Sequence, residues 1–220
     1  MTASRIGKQI DNLIMAERWD EARALIEKAL KKEPDSHWLL TQLGETYYEQ
    51  RDYKKALGFL LRSRDIVPDC PLTLWHLAGT LDALGYRGGA VRLYTWLLQS
   101  KKTPEDDPCW ENVEWTDSLK TDCVYRLGLC FKHSGQTKLA DFCLRRYITL
   151  QSMGPEAKGS YSVKEAKKHL EALHHSERGA VEQELQETAE RVRQTSGKET
   201  SPTEDPPELD SKSLQQLQEA

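Results

Sequence analysis

The chain has 220 residues, of which 38% are hydrophobic and 30% are charged, and its formal net charge is −4. So low an apolar share is typical of an elongated domain, a partly disordered chain, or both. The mildly acidic balance argues against general binding to nucleic acid or an anionic membrane, and no apolar run is long enough for a membrane helix. We expect no secretory signal, because the first residues contain no continuous apolar stretch. The five cysteines form no CxxC pair, so we predict free thiols in a reducing cytoplasm.

Small residues and prolines recur along the chain with a fixed period. Ala22, Ala56 and Ala90 are spaced by 34 residues, and so are Pro34 and Pro68. A period of 34 is typical of an array of helix–turn–helix units. The pattern predicts three consecutive units and, after an insert, a fourth unit; their ranges are 3–36, 37–70, 71–102 and 121–154, with the insert at 103–120.

Each unit is predicted to contain two amphipathic helices, A and B. In the second unit the apolar spacing predicts helix A at about 37–50 and helix B at about 53–66. Gly44 falls in the middle of helix A, where glycine costs about 1 kcal/mol relative to alanine. Such a residue makes sense where another helix approaches closely, and we expect small residues such as Ala56 to face it. Gly85 and Gly135 are predicted to close the turns between A and B in the third and fourth units.

The second unit resembles the tetratricopeptide repeat family, because the following residues fill the columns of its motif: Leu40, Leu43, Gly44, Tyr47, Ala56, Leu60 and Pro68. The other units fit less fully, and the first has Ile10 where the family usually has Gly or Ala. The resemblance covers roughly residues 3–154. It implies an all-α fold, a right-handed superhelical solenoid of helix–turn–helix repeats with a C-terminal capping helix.

The insert at 103–120 is predicted to be a loop that contains Trp110 and Trp115. Insertions in repeat arrays map to loops on one face, which is sometimes the binding face. The alternative is that the tryptophans pack the loop back onto the repeats, and we favour it because large aromatic side chains dominate core burial.

Residues 155–194 are predicted to form a capping helix and an extension. Val163, Ala166, Leu170 and Leu173 make one apolar stripe, and Ser162 with Glu165 has the spacing of a capping box. A further helix is predicted around 180–194, with its apolar stripe at these positions: Val181, Leu185, Ala189 and Val192. This apolar stripe could pair with a second copy of the chain, so a homo-oligomer formed through this helix remains an alternative.

Residues 195–220 hold six acidic and two basic residues, which account for the whole net charge of −4. With three prolines and few large apolar groups, the segment cannot bury enough surface to offset its ordering entropy. We predict a disordered acidic tail.

No pattern in the sequence indicates catalysis. The glycine pair at Gly88 lacks the residues of a phosphate-binding loop, and no nucleophile elbow is present. Cys130 and His133 have a spacing that would allow a shared metal ion, but a zinc site needs four ligands, so we read Cys130 as a small core residue. We therefore predict no enzyme, no cofactor and no metal site.

The tetratricopeptide register places large and polar side chains of the A helices on the concave side of the solenoid. Aromatic and arginine side chains are enriched in binding hot spots, so these residues predict a groove for a peptide or helix of another protein. The candidates are Trp38, Thr41, Gln42, Glu45, Tyr48, Trp75, His76, Asp82, Tyr125, Arg126, Leu129 and Lys132. For Trp38 and Trp75, packing into helix contacts is the competing interpretation.

The favoured function is therefore a cytoplasmic adaptor or scaffold that binds a protein partner, with neither nucleic acid nor membrane as a ligand. Two alternatives remain open: a structural self-assembly module, and a secretion-type chaperone or co-chaperone. Some tetratricopeptide proteins grip a terminal carboxylate with a set of cationic and amide side chains. Of the matching positions only Arg126 fits, so we expect no such clamp.

Overall fold

The computed structural model describes residues 5–153 and 159–196, and within them it is helical with no strand. The helices in these ranges are α1 (Arg5–Met15), α2 (Trp19–Leu30), α3 (His37–Glu49), α4 (Tyr53–Ile66), α5 (Pro71–Ala83), α6 (Arg87–Gln99), α7 (Val113–His133), α8 (Thr137–Ser152) and α9 (Val163–Ser196), with a short 3₁₀ helix at Pro108–Trp110. Along this part of the chain, no helix is long and apolar enough to cross a membrane.

The chain divides into two compact units, Met1–His175 and Ser176–Ala220. The first unit contains four A–B pairs, α1–α2, α3–α4, α5–α6 and α7–α8, and each A helix packs on its own B helix. Helices α3 and α4 lie where the sequence predicts helices A and B of the second repeat. The all-α solenoid of helix pairs is thus confirmed.

Four equivalent turns join the A and B helices, and each contains one residue with positive φ. The angles are 85° at Gly85 and 71° at Gly135, and 56° at Glu17 and 62° at Arg51. The predicted glycine turns are therefore present. The first two repeats adopt the same left-handed turn without glycine, although this conformation is unfavourable for residues with a Cβ atom.

Side-chain caps stand at the starts of α3, α4 and α7. Ser36 Oγ accepts a hydrogen bond from Leu39 N at 3.5 Å, and Asp52 Oδ1 accepts one from Lys55 N at 3.3 Å. Asn112 Oδ1 accepts one from Trp115 N at 2.8 Å. Such caps satisfy amide groups that have no partner inside the helix.

The mid-helix glycines make room for a leucine side chain. A Cβ atom on Gly44 would lie 2.7 Å from Leu60 Cγ, and one on Gly128 would lie 3.0 Å from Leu144 Cγ. The backbone oxygen of Ala56 lies 3.4 Å from the same position, so the expected small residue does face Gly44. The sequence pattern does not predict that the leucine one turn further along the B helix also enters this space.

The insert is shorter than predicted, because α7 begins at Val113 instead of near 121. The Asn112 cap starts the helix eight residues early, and Glu114 in its first turn favours the helix N-terminus. The loop returns to the repeats as predicted: Trp110 is fully buried in the core and Trp115 packs against it.

The capping segment forms as predicted. Glu165 N donates to Ser162 Oγ at 3.1 Å, and Ala166, Leu170 and Leu173 are buried in the same core cluster as α7 and α8. The extension does not form a separate helix, because α9 continues without a break to Ser196.

In the part of α9 that belongs to the second unit, Gln183 Nε2 donates a hydrogen bond of 3.0 Å to Glu187 Oε1, one turn along the exposed helix. Of the predicted apolar stripe only the side chain of Leu185 is described, and it is 65% exposed. The side chains of Val181, Ala189 and Val192 lie outside the described residues, as does the predicted tail from residue 197 onward.

Candidate functional site

The candidate site is the surface formed by the A helices α1, α3, α5 and α7, called here the A-helix face. Most of the predicted groove residues are half-buried on these helices, which suits groups that contact both the protein and a ligand. They are Trp38, Glu45, Tyr48, Trp75, His76, Asp82, Arg126, Leu129 and Lys132. The other three predicted residues, Thr41, Gln42 and Tyr125, are buried.

Thr41 belongs to a hydroxyl network inside the protein. Its Oγ1 lies 2.8 Å from Ser63 Oγ and 2.7 Å from Thr73 Oγ1, and those two hydroxyls are 3.1 Å apart. Thr41 and Ser63 also donate to the carbonyl oxygen of His37. The prediction that Thr41 lines an open groove is therefore wrong, because its side chain links α3, α4 and α5 inside the core. Gln42, only 6% exposed, is likewise unavailable to a ligand.

Tyr125 is covered by a later part of the chain. Its ring stacks on Tyr161 with centroids 4.3 Å apart and planes inclined by 20°. The backbone beside Tyr161 is anchored, because Ser160 N donates to Asp122 Oδ1 at 2.8 Å and Tyr147 Oη donates to Tyr161 O at 2.6 Å. Burial raises the pKa of Tyr161 to about 12. The segment before α9 thus closes over part of α7, which the repeat register alone does not reveal.

Three A helices contribute to a second group of side chains, the Arg126 cluster, made of Arg126, Tyr48, Asp82 and Tyr94. Arg126 Nε donates to Tyr94 Oη at 3.1 Å, and an Nη donates to Tyr48 Oη at 3.5 Å. The same guanidinium lies 3.8 Å from Asp82 Oδ2. The cluster brings α3, α5 and α7 together on one face. Burial raises the pKa of Tyr94 well above its ordinary value, so its hydroxyl stays neutral.

Acidic side chains gather at the other end of this face. Burial, reinforced by the charge of Glu45, raises the pKa of Asp11 and of Glu49 above their ordinary values. The cationic partner is weak, since His76 Nε2 lies 3.6 Å from Glu45 Oε2 and carries charge only when protonated. Arg126 opposes the rise in the pKa of Glu49, but Arg126 also lies beside Asp82, so acidic groups outnumber basic groups at this acidic end.

The two tryptophans of the predicted groove are partly used in packing. Trp75 makes an edge contact with Tyr94 at 5.3 Å between ring centroids, and Trp38 packs against the core of the first two repeats. Each remains half-buried, so each ring keeps part of its surface for solvent.

Lys132 contacts the capping helix, where its Nζ lies 3.0 Å from Nδ1 of His169. Burial first, and then the charge of Lys132, lower the pKa of His169 below its ordinary value. Two further histidines follow on the same helix: His174 Nε2 lies 2.8 Å from Asp141 Oδ1, and His175 is exposed.

The structure also brings together three residues that sequence reasoning did not connect: His37, Cys70 and Cys109. The ring nitrogen of His37 and the two sulfur atoms lie within 4.8 Å of one another, and Cys109 Sγ is 3.7 Å from His37 Nε2. Burial raises the pKa of Cys70, but its interactions with His37 and Thr73 outweigh burial, so the pKa lies below its ordinary value. Burial and the nearby Cys70 raise the pKa of Cys109 to about 12.

No sequence signal joins these three residues, because they come from the start of α3, the loop before α5 and the insert. The pair that the sequence did suggest, Cys130 and His133, is not brought together in this way. Cys130 is fully buried as a core residue, as predicted, whereas His133 is exposed.

The comparisons with known proteins agree with the helix pairs. The sequence profile of the tetratricopeptide repeat family matches residues 13–78. No curated protein matches the chain.

Several solved structures share the fold at low identity. BtubC (BKLC) from P. vanneervenii has a TM-score of 0.60 at 14% identity, covering 94% of this chain and 85% of its own. Kinesin light chain TPR-like repeats from Podosopora anserina give 0.56 at 17% identity, with 88% and 95% covered. MamA gives 0.52 at 15% identity, with 89% and 94% covered. The repeat motif and the four equivalent turns agree with this shared fold, so the helix pairs of the chain are similar to those of the tetratricopeptide repeat family.

Proposed function

We propose that this protein is an adaptor that binds a peptide or helix of another protein on its A-helix face. The repeat fold indicates a protein-interaction or scaffold role. The observation that carries the finer proposal is the Arg126 cluster, in which polar groups from three successive A helices meet on one surface. The side chains of Arg126 and Asp82 keep 15% and 10% of their surface exposed, so a ligand can reach their edges.

The acidic end suggests the chemistry of the ligand. Glu45 interacts electrostatically with both Asp11 and Glu49, and the positively charged groups that act on Glu49 are His76 and the more distant Arg126, which also lies beside Asp82. A lysine or arginine side chain placed among these carboxylates would relieve their repulsion and gain charge-assisted hydrogen bonds. The proposed ligand is therefore a segment with at least one basic residue that lies near α1 and α3.

The proposal gives the chain no catalytic role. It places the protein in the cytoplasm, where the free thiols of the structure are stable.

The test compares the wild-type chain with Glu45→Lys/Glu49→Lys, which reverses the charge of the acidic end. The control is Glu27→Lys, an exposed position on the B helix α2. Each protein is used to capture partners from lysate of the source cells, and peptides from the captured proteins are titrated against it. Circular dichroism checks that all variants keep their helices.

We expect the wild type and the Glu27 variant to bind the same basic peptides and the double variant to lose them. Equal binding by all three proteins would contradict the assignment to the A-helix face. Capture of the chain itself, with no other partner, would favour the self-assembly alternative.

A further inference from the structure

We propose that His37, Cys70 and Cys109 form a binding site for one Zn²⁺ ion, with the fourth coordination position open to water or to an external ligand. The site is separate from the proposed partner-binding residues and does not depend on them. It lies where the insert meets the first turns of α3 and α5.

The geometry of the three donor atoms supports this site. Zinc–sulfur and zinc–nitrogen bonds of about 2.3 and 2.0 Å in a tetrahedral arrangement put neighbouring donor atoms about 3.5–3.8 Å apart. Cys109 Sγ and His37 Nε2 are 3.7 Å apart, and all three donors fall within 4.8 Å. Small side-chain rotations therefore complete the three-ligand arrangement.

The chemistry of the donors favours zinc over the hard cations. Two thiolates and an imidazole are ligands for zinc, whereas magnesium and calcium take oxygen atoms. Each thiol gives its proton to solvent when it binds the ion, and the two thiolate charges balance the charge of Zn²⁺. Cys70 precedes the first residue of α5, and the positive end of that helix favours a thiolate.

The surroundings hold the ligands in place. Cys109 N donates to Asp107 Oδ1 at 2.9 Å, and Lys102 Nζ lies 3.2 Å from Asp107 Oδ2 and also contacts Asp69. These carboxylates are thus engaged by Lys102 and by the backbone, which leaves the fourth position on the ion without a protein ligand from this group. A bound ion would fasten the insert to α3 and to the loop before α5.

A pair of cysteines alone would suggest a disulfide as the competing explanation. A disulfide does not account for the imidazole, whose nitrogen lies close to both sulfur atoms. The test therefore substitutes one cysteine ligand and the histidine ligand in separate variants.

The experiment titrates the full chain, reduced and freed of metal with a chelator, with Zn²⁺ in competition with a chromophoric chelator. A parallel titration with Co²⁺ reports thiolate coordination by its visible and near-ultraviolet absorption. The test variants are Cys109→Ser and His37→Ala, since both side chains are only partly buried. The matched controls are Cys143→Ser on α8 and His175→Ala on α9.

We expect the wild type and both controls to bind one Zn²⁺ per chain and to give tetrahedral Co²⁺ spectra with thiolate charge-transfer bands. Cys109→Ser and His37→Ala should lower the zinc affinity by about 100-fold or more, because the loss of a ligand exceeds the 10–100-fold effect of losing an outer hydrogen bond. Zinc should raise the unfolding temperature of the wild type and not that of Cys109→Ser. Circular dichroism separates loss of binding from loss of folding.

Two results would overturn the proposal. One is a reduced wild-type chain that binds no zinc while it forms a Cys70–Cys109 disulfide on addition of a mild oxidant, which would assign the pair to redox chemistry. The other is a folded Cys109→Ser or His37→Ala variant with the zinc affinity of the wild type.

Discussion

An Nη nitrogen of Arg126 on α7 lies 3.5 Å from the hydroxyl of Tyr48 on α3, although 78 residues separate them in sequence. The two side chains meet across α5 at Gly79, whose absent Cβ atom would lie 3.5 Å from each. Glycine at this position therefore lets alternate A helices contact each other. This relationship makes the A-helix face one continuous surface over three repeats.

Two glycines on neighbouring helices should respond in opposite ways to alanine. A Cβ atom at Gly44 would meet the buried Leu60 at 2.7 Å, whereas nothing lies within 4 Å of one at Gly58. We expect Gly44→Ala to lower the free energy of unfolding by about 1–3 kcal/mol through overpacking. Gly58→Ala should raise it by about 0.5–1 kcal/mol through helix propensity. Urea denaturation measures both, and a stabilising Gly44→Ala would show that Leu60 relaxes freely.

The hydroxyl network of Thr41 is expected to contribute to stability. Thr41→Val keeps the shape of the side chain but removes hydrogen bonds to Ser63 and Thr73 in a fully buried place. We expect a loss of about 1–3 kcal/mol in the free energy of unfolding. The exposed Thr149, whose hydroxyl donates to Arg145 O, provides the control, and Thr149→Val should change stability by less than about 0.5 kcal/mol. Equal effects at the two sites would contradict the role of the buried network.

The stacking of Tyr161 on Tyr125 should hold the segment before α9 on the array. Tyr161→Ala removes a stacked ring from a well-packed place, so we expect a loss of about 2–4 kcal/mol in the free energy of unfolding. Hydrogen exchange of the backbone amides near Tyr125 should accelerate in the same variant. Tyr161→Phe keeps the ring and should cost less than about 1.5 kcal/mol. Unchanged exchange in Tyr161→Ala would mean that the segment is held by its backbone contacts alone.

His169 should make stability depend on pH. Its pKa is lowered in the folded protein by burial and by Lys132, relative to about 6.5 in the unfolded chain. The unfolded state therefore binds more protons as the pH falls below about 6.5, and the contribution of neutral His169 to stability is lost over that range.

We expect His169→Gln to lessen the fall in the free energy of unfolding between pH 7.5 and 5.5, as measured by urea denaturation at about these two values. The exposed His175 gives the control, because His175→Gln should leave the wild-type pH dependence in place. If His169→Gln keeps the full pH dependence of the free energy of unfolding, another titrating group causes that dependence.

The repeat pattern was predicted from sequence because its cause is local. Proline, capping residues and apolar spacing act within one turn or one helix pair, and they place α3, α4 and the start of α9 where they are found. The early start of α7 is also local, since Asn112 is a cap that the sequence contains. The repeat pattern nevertheless predicts a loop up to residue 120, because the fourth unit resumes the period only after an offset of 18 residues.

The candidate site was predicted only in part. The register of the A helices predicts Tyr48, Asp82 and Arg126 on one side of the array, and in the structure these three side chains lie close together. The register did not reveal that Thr41 turns into the core, since a polar side chain becomes buried where other hydroxyls satisfy it. No periodic signal records those partners, which come from α4 and α5.

The sequence by itself determined the helices, their pairing and the resemblance to tetratricopeptide repeats, because these follow from short-range propensities repeated every 34 residues. Only the tertiary structure decided what covers each surface. The segment before α9 places Tyr161 over Tyr125, and the insert carries Cys109 to His37, 72 residues away. Contacts of this kind depend on the path of irregular segments, which no repeat period in the sequence specifies. The entropic cost of closing a loop rises only slowly with its length, so loop length does not specify the path either.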